Sequence, residues 1–288
     1  MLDQAHRLRE LALAERHLTS DGTRVSRRIS VTSGKGGVGK SNFSLNFAIL
    51  AARLGRKVLL IDADTNLANL DILLGVSPKY NLSHVLAGLK GVRDILVDGP
   101  EGISILPAAS GNLEQVLHEG IGSGAIIADL NSLEDDYDIV VMDTGAGASR
   151  TVLDFTLFSD IIVLLTTSEP TSITDAYAMV KLISAEKADV EIKLLVNLVR
   201  NKQEAVEVFD KLSTVINHFL KIEVHYLGYL PRDISVERAV HMQEPFINAF
   251  PKSPVSVQLK FIARKLIQVG EIQDDGAGLF GGFFRRGS

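Results

Sequence analysis

Residues 34–41 read Gly34-Lys35-Gly36-Gly37-Val38-Gly39-Lys40-Ser41, which satisfies the pattern G-x-x-x-x-G-K-[ST]. Small residues at these positions let backbone N–H groups curl around phosphate oxygens, and a following helix adds the positive end of its dipole. Lys40 then reaches the β- and γ-phosphates of a nucleotide, and the Ser41 hydroxyl ligates Mg²⁺. Asn42 continues the same cofactor-binding stretch. Three carboxylates could complete such a site. Asp62 and Asp64 end the apolar run Val58-Leu59-Leu60-Ile61, and at period two they leave the strand's carboxyl edge in the same direction. Asp143 ends Ile139-Val140-Val141-Met142 in the same manner and reads as the metal-holding carboxylate, acting through water. Aspartate at a strand end also forms turns and caps helices; convergence of three such ends on one edge favours the metal site.

These groups need a scaffold that delivers strand ends to one place. Strands are predicted at 29–33, 58–62, 103–106, 138–143, 160–166, 191–197 and 224–230. Helices are predicted between them at 40–54, 123–134, 149–158, 172–186 and 202–219. Several strands are apolar on both faces, as parallel strands covered by helices on each side require. The expected fold class is α/β: one doubly wound, mostly parallel sheet forming a single domain over 28–268, with short helical extensions at both ends. Ligands bind outside the carboxyl ends of such strands, where the loop and the aspartates lie.

The composition narrows the function. The 288-residue chain is 46% hydrophobic and 23% charged, with a net charge of −5. That balance gives no general reason to expect nucleic-acid binding. There is no cysteine, so disulfides, cysteine-ligated zinc and iron–sulfur clusters are excluded. No apolar run approaches the roughly 18–20 residues of a membrane span, and residues 1–20 carry too many charges for a signal peptide. The expected location is the cytoplasm, with any membrane contact peripheral.

The extra lysine in Lys35-Gly36-Gly37-Val38-Gly39-Lys40-Ser41 resembles the deviant Walker A group of P-loop NTPases, which includes the MinD and ParA ATPases. The resemblance implies a slow ATPase with ATP and Mg²⁺ as cofactors. Lys35 would cross a dimer interface to the partner's nucleotide, neutralising charge on the transferring phosphoryl group as an arginine finger does. Asp64 would position the attacking water and Asp62 would assist around the metal. Asp143-Thr144-Gly145-Ala146-Gly147 looks like the second switch loop, in which Gly145 departs from the family's usual residue and loosens the switch. Asn197, and Pro231 in Gly228-Tyr229-Leu230-Pro231, match positions where the family holds adenine, although either could be an ordinary strand end.

Asn66–Asp71 resembles MinD-type proteins, and two further strings resemble the flagellar branch of that group, FlhG (also called FleN): Glu169-Pro170-Thr171-Ser172-Ile173-Thr174-Asp175-Ala176-Tyr177 and Ala249-Phe250-Pro251-Lys252-Ser253. Residues 1–20 read as a helix, with Leu2, Ala5, Leu8 and Ala12 at helical spacing, broken by Asp21-Gly22. Within it Asp3, Gln4, Ala5, Leu8 and Arg9 match a motif that, in the branch, activates the signal-recognition-particle-type GTPase FlhF. In 276–286, Leu279, Phe280, Phe283 and Phe284 share one side of a helix, with Arg285 opposite, but four glycines oppose helix formation. The resemblance makes this a membrane-targeting helix, binding weakly as one copy and better as two; a disordered tail or a segment folded on the core is the alternative.

The expected partners are therefore a second copy held by ATP, an FlhF-like GTPase, the inner membrane surface in the ATP state, and flagellar switch-complex proteins or a transcriptional regulator. The rival readings are a division-site MinD, a DNA-segregating ParA-like protein, and a nucleotide sensor with negligible hydrolysis.

Overall fold

The computed structural model describes residues 26–64, 69–108, 129–187 and 190–268. The two termini, including Asp3, Gln4, Ala5, Leu8 and Arg9 and Leu279, Phe280, Phe283, Phe284 and Arg285, lie outside the described residues, as do 123–128 of the helix expected at 123–134.

The strands are β1 (Arg27–Ser33), β2 (Val58–Ala63), β3 (Val97–Asp98), β4 (Ser104–Leu106), β5 (Ile139–Ala146), β6 (Ile161–Thr166), β7 (Glu191–Val199) and β8 (His225–Pro231). They form one sheet in the order β3-β4-β2-β5-β1-β6-β7-β8. Every pairing is parallel except β3 with β4, an antiparallel edge of two residues. Strands β1, β2, β5 and β6 are buried along almost their whole length, as the two-sided apolar runs require.

The helices are α1 (Lys40–Arg53), α2 (Leu70–Leu74), α3 (Leu82–Leu86), α4 (Arg150–Leu157), α5 (Pro170–Glu186), α6 (Lys202–Leu220), α7 (Ile234–Met242), α8 (Phe246–Ala249) and α9 (Pro254–Gln268). Alternate strand residues face opposite helix layers. Ile139 and Val141 of β5 pack with Phe43 and Phe47 of α1 and Leu259 and Ile262 of α9. Val140 and Met142 turn to the other side, against Phe155 of α4. Burying side chains of this size contributes roughly 1.5–3 kcal/mol each, which fixes the sheet's register and with it the strand ends. Local signals set the helix starts: Ser149 accepts from the Val152 N–H, Asn201 from Glu204 and Asp233 from Ser235.

The observed bounds depart from expectation at two functional places. Strand β5 runs to Ala146, so the stretch expected as a loop from Asp143 begins as strand, paired with β2 through Thr144 and with β1 through Ala146. Strand β7 runs to Val199 rather than 197, through a bulge at Asn197 and Leu198 where its register with β8 shifts.

Candidate nucleotide site

The phosphate loop leaves β1 at Ser33 and enters α1 at Lys40. The N-terminus of α1 is bare: Gly39 is left-handed at φ 94°, no side chain caps the helix and its first turn holds no acid. Uncapped N–H groups without a competing carboxylate leave the dipole's positive end for an anion. Glycine is required at 39 twice over, because φ is positive and an added Cβ would sit 2.5 Å from the Asn197 amide nitrogen. At the other end of the loop, a Cβ on Gly34 would overlap the Asp175 backbone of α5.

Lys40 is buried, and its Nζ donates to Ser33 Oγ at 3.0 Å. Burial holds its pKa below the ordinary lysine value, opposed by the charges of Asp143 and Asp64. Asp143 is fully buried; Ser44 Oγ donates to its Oδ1 at 3.0 Å and the Ser41 hydroxyl also bonds to it. Its Oδ2 has no partner among the described residues. Burial pushes Asp143 up to about 6, although Ser41, Ser44 and Lys40 all pull it down.

Asp62 lies opposite Asp143 in the β2–β5 register and is equally buried. Its Oδ1 accepts the Asp64 N–H at 3.1 Å and its Oδ2 the N–H groups of Asn69 and Leu70 at 3.3 Å each. Asp62 thus ties together the two ends of the loop after β2. Burial, and then the Asp143 charge, push it up to about 8 in spite of those bonds. Two buried carboxylates side by side with one orphaned oxygen are an arrangement that a divalent cation would relieve. The residues therefore fit Mg²⁺ of the nucleotide-bound type, held by Ser41 and one or two carboxylates together with phosphates. Among the described residues no cluster of three or more His, Cys, Asp or Glu could hold a metal alone.

Asp64 follows β2, and its carboxylate borders Gly145: a Cβ there would lie 3.3 Å from Asp64 Oδ1 and 3.4 Å from Val152. The departure at 145 gives this carboxylate room. Gly147, left-handed at φ 84°, closes the turn by donating to the Ser33 carbonyl.

Lys35 behaves differently from Lys40. It is partly exposed and pairs within its own chain, with the Glu169 carboxylate and with Thr171 Oγ1 at 3.1 Å. The string Glu169–Tyr177 thus packs on the phosphate loop, at Lys35 and at Gly34. The sequence marked that string without revealing a contact that spans more than 130 positions. Asn197 lies at the loop too, but its amide engages the Val38 carbonyl at 2.7 Å. Pro231 ends β8 at the same edge of the sheet, half-buried.

The family model described as the CobQ/CobB/MinD/ParA nucleotide binding domain matches residues 29–246. The chain is 41% identical over 238 residues to the antiactivator FleN of Pseudomonas aeruginosa, covering 83% of this chain and 85% of the relative. It is 35% identical over 264 residues to the flagellum site-determining protein YlxH of Helicobacter pylori, covering 90% and 88%. The structure is similar to that of the septum site-determining protein MinD complexed with Mg-ADP from Pyrococcus horikoshii OT3, with a TM-score of 0.72, 25% identity, and coverage of 86% of this chain and 98% of that one.

Proposed function

This chain belongs to the CobQ/CobB/MinD/ParA nucleotide-binding family, in its flagellar FleN/YlxH branch, and we propose that it works as an ATP-driven dimerising switch that sets flagellar number or placement. The observation that carries the nucleotide chemistry is the orphaned Asp143 Oδ2, set among Asp62, Ser41 and Lys40 at the bare start of α1.

In this reading the loop N–H groups and Lys40 bind the phosphates of ATP, with Gly34, Gly36, Gly37, Val38, Gly39 and Asn42 shaping the cradle. Ser41, Asp62 and Asp143 hold Mg²⁺, which supplies charge neutralisation at the phosphates when bound. Asp64 orients the attacking water; its position beside Gly145 supports this, because a change in the loop after β5 would move the carboxylate. Pro231 borders the base. Lys35 leaves Glu169 and Thr171 and reaches the partner's nucleotide. The pair it leaves is solvent-exposed, so releasing it costs only about 0–1 kcal/mol. ATP thereby joins two copies, and hydrolysis separates them.

The finer proposal concerns the ends of the chain. Asp3, Gln4, Ala5, Leu8 and Arg9 stimulate an FlhF-like GTPase, and Leu279, Phe280, Phe283, Phe284 and Arg285 bring the ATP dimer to the inner membrane surface. No helix among the described residues is long and apolar enough to cross a membrane. A transcriptional regulator is a further candidate partner, because the FleN relative is named an antiactivator. The test is GTP hydrolysis by the same organism's FlhF-like GTPase, alone, with this protein, and with a peptide of residues 1–20. Stimulation by both additions is expected. No stimulation of a folded, dimer-competent GTPase would remove the GTPase partner and leave a MinD-like ATPase whose cargo lies elsewhere.

A further inference from the structure

We infer that Ser44 is a positioning residue for the metal site: it holds one oxygen of Asp143 so that the other is left for the cation. Ser44 lies in the second turn of α1, one turn beyond Ser41, and is fully buried. Its Oγ lies 3.0 Å from Asp143 Oδ1, across 99 positions of sequence, and 3.0 Å from the Lys40 carbonyl oxygen. Both neighbours are acceptors, and a hydroxyl has one proton to give. An ionised carboxylate is the stronger acceptor, so Asp143 takes the larger share of that proton whenever it is charged. The Lys40 carbonyl, one turn back on the same helix, keeps the serine side chain turned along α1.

The arrangement divides the two oxygens of Asp143. Oδ1 accepts from Ser44, and Oδ2 has no partner among the described residues. The β5 register places Asp143 between Val31 of β1 and Asp62 of β2. It does not choose the plane of the carboxyl group, because the last torsion of an aspartate is broad and two-fold. The bond from Ser44 makes that choice.

Neither the helix nor the packing calls for a hydroxyl at 44. Alanine is the better helix former and would bury no polar atom. Nor is Ser44 placed to be a ligand itself, since α1 carries it about 4.5 Å further from the loop than Ser41. It acts on a cation through Asp143. Mg²⁺ demands near-ideal octahedral geometry, so the direction of Oδ2 decides how well the ion is held there, directly or through water.

This inference rests on the reading of the carboxylates as a Mg²⁺ site, and the experiment separates the two. Binding of ADP to the full chain is measured by calorimetry, with excess Mg²⁺ and with the cation chelated, for wild type, Ser44→Ala, Ser44→Thr and Ser44→Val. Wild type is expected to bind ADP more tightly with Mg²⁺. In Ser44→Ala that gain shrinks by about tenfold, while the affinity for cation-free ADP stays at the wild-type value. Threonine keeps a hydroxyl able to bond one turn back, and valine matches its shape without one, so threonine restores the gain and valine does not. An equal loss with and without Mg²⁺ would make Ser44 part of the loop's packing. That result, a gain unchanged in Ser44→Ala, or equal behaviour of the threonine and valine variants would overturn the inference and leave the metal site standing. A wild type that bound no ADP, or gained nothing from Mg²⁺, would overturn the metal-site reading and the inference together. If Ser44→Ala does not fold, the threonine and valine pair carries the comparison; failure of all three to fold would make Ser44 a residue of the core and overturn the inference.

Discussion

The two edges of the sheet treat buried charge in opposite ways. At the amino edge, the charge of buried Arg28 is matched: its N–H and its guanidinium both donate to Asp160, at 2.9 and 3.0 Å, and it lies 4.2 Å over the Phe158 ring, although its Nε makes no hydrogen bond among the described residues. Lys193, buried on β7, pairs with Glu191 at 2.6 Å. At the carboxyl edge, Asp62 and Asp143 are buried as deeply but set beside each other, and one oxygen is left without a partner among the described residues. Charge that serves the fold is paired off, and charge that serves a ligand is left unbalanced until the ligand arrives. In the parallel sheet both edges have the same neighbours in the same order, so the difference lies in the side chains and not in the scaffold.

Each prediction breaks one side of that contrast. The largest effect is expected for Lys40→Ala, which removes the buried cation that faces the phosphates: ATP turnover falls by about 10²-fold or more, read in a phosphate-release assay, while the fold persists. Next is Asp160→Ala at the amino edge. It lowers stability by about 2 kcal/mol in urea unfolding and leaves turnover per folded molecule unchanged.

Asp62→Asn tests the charge at the carboxyl edge. The folded-state pKa of Asp62, about 8, lies above its unfolded value, so the folded protein holds a proton that the unfolded chain has lost. Nucleotide-free wild type therefore loses stability as pH rises from about 4 toward 8, and Asp143, raised to about 6, adds to the loss over the lower part of that window. Asparagine removes the charge but keeps a single acceptor oxygen, which can serve the Asp64 N–H or the Asn69 and Leu70 N–H groups and not both. Between about pH 4 and 8 the melting temperature of the variant should therefore fall less steeply than that of wild type, by calorimetry, and turnover should fall. The smallest effect is expected for Glu169→Gln, because the Lys35 pair is exposed: stability changes by less than about 0.5 kcal/mol in the same urea assay.

Much of this contrast was legible in the sequence, because the strands that matter are apolar on both faces and carry aspartate toward their carboxyl ends. The loop between β1 and α1 and the two carboxylate-bearing strand ends were readable for that reason. The short elements were not: β3 has two residues and α2 and α3 have five each, too few for a period to show. Helix α9 was missed although Val255, Leu259, Ile262 and Leu266 follow a helical period after Pro254. The contacts that cross the sheet, Asn197 to Val38 and Lys35 to Glu169, were illegible for a different reason. Periodicity gives the face of an element, and these bonds depend on a bulge and on a close approach between elements far apart in the chain.

The most direct test of the switch is the mass of the protein in solution with Mg·ATP and with Mg·ADP, measured by sedimentation in an Asp64→Ala background that slows hydrolysis. A dimer is expected with ATP, a monomer with ADP, and a monomer under both conditions once Lys35→Ala is added. An ATP-dependent dimer that survives Lys35→Ala would contradict that expectation.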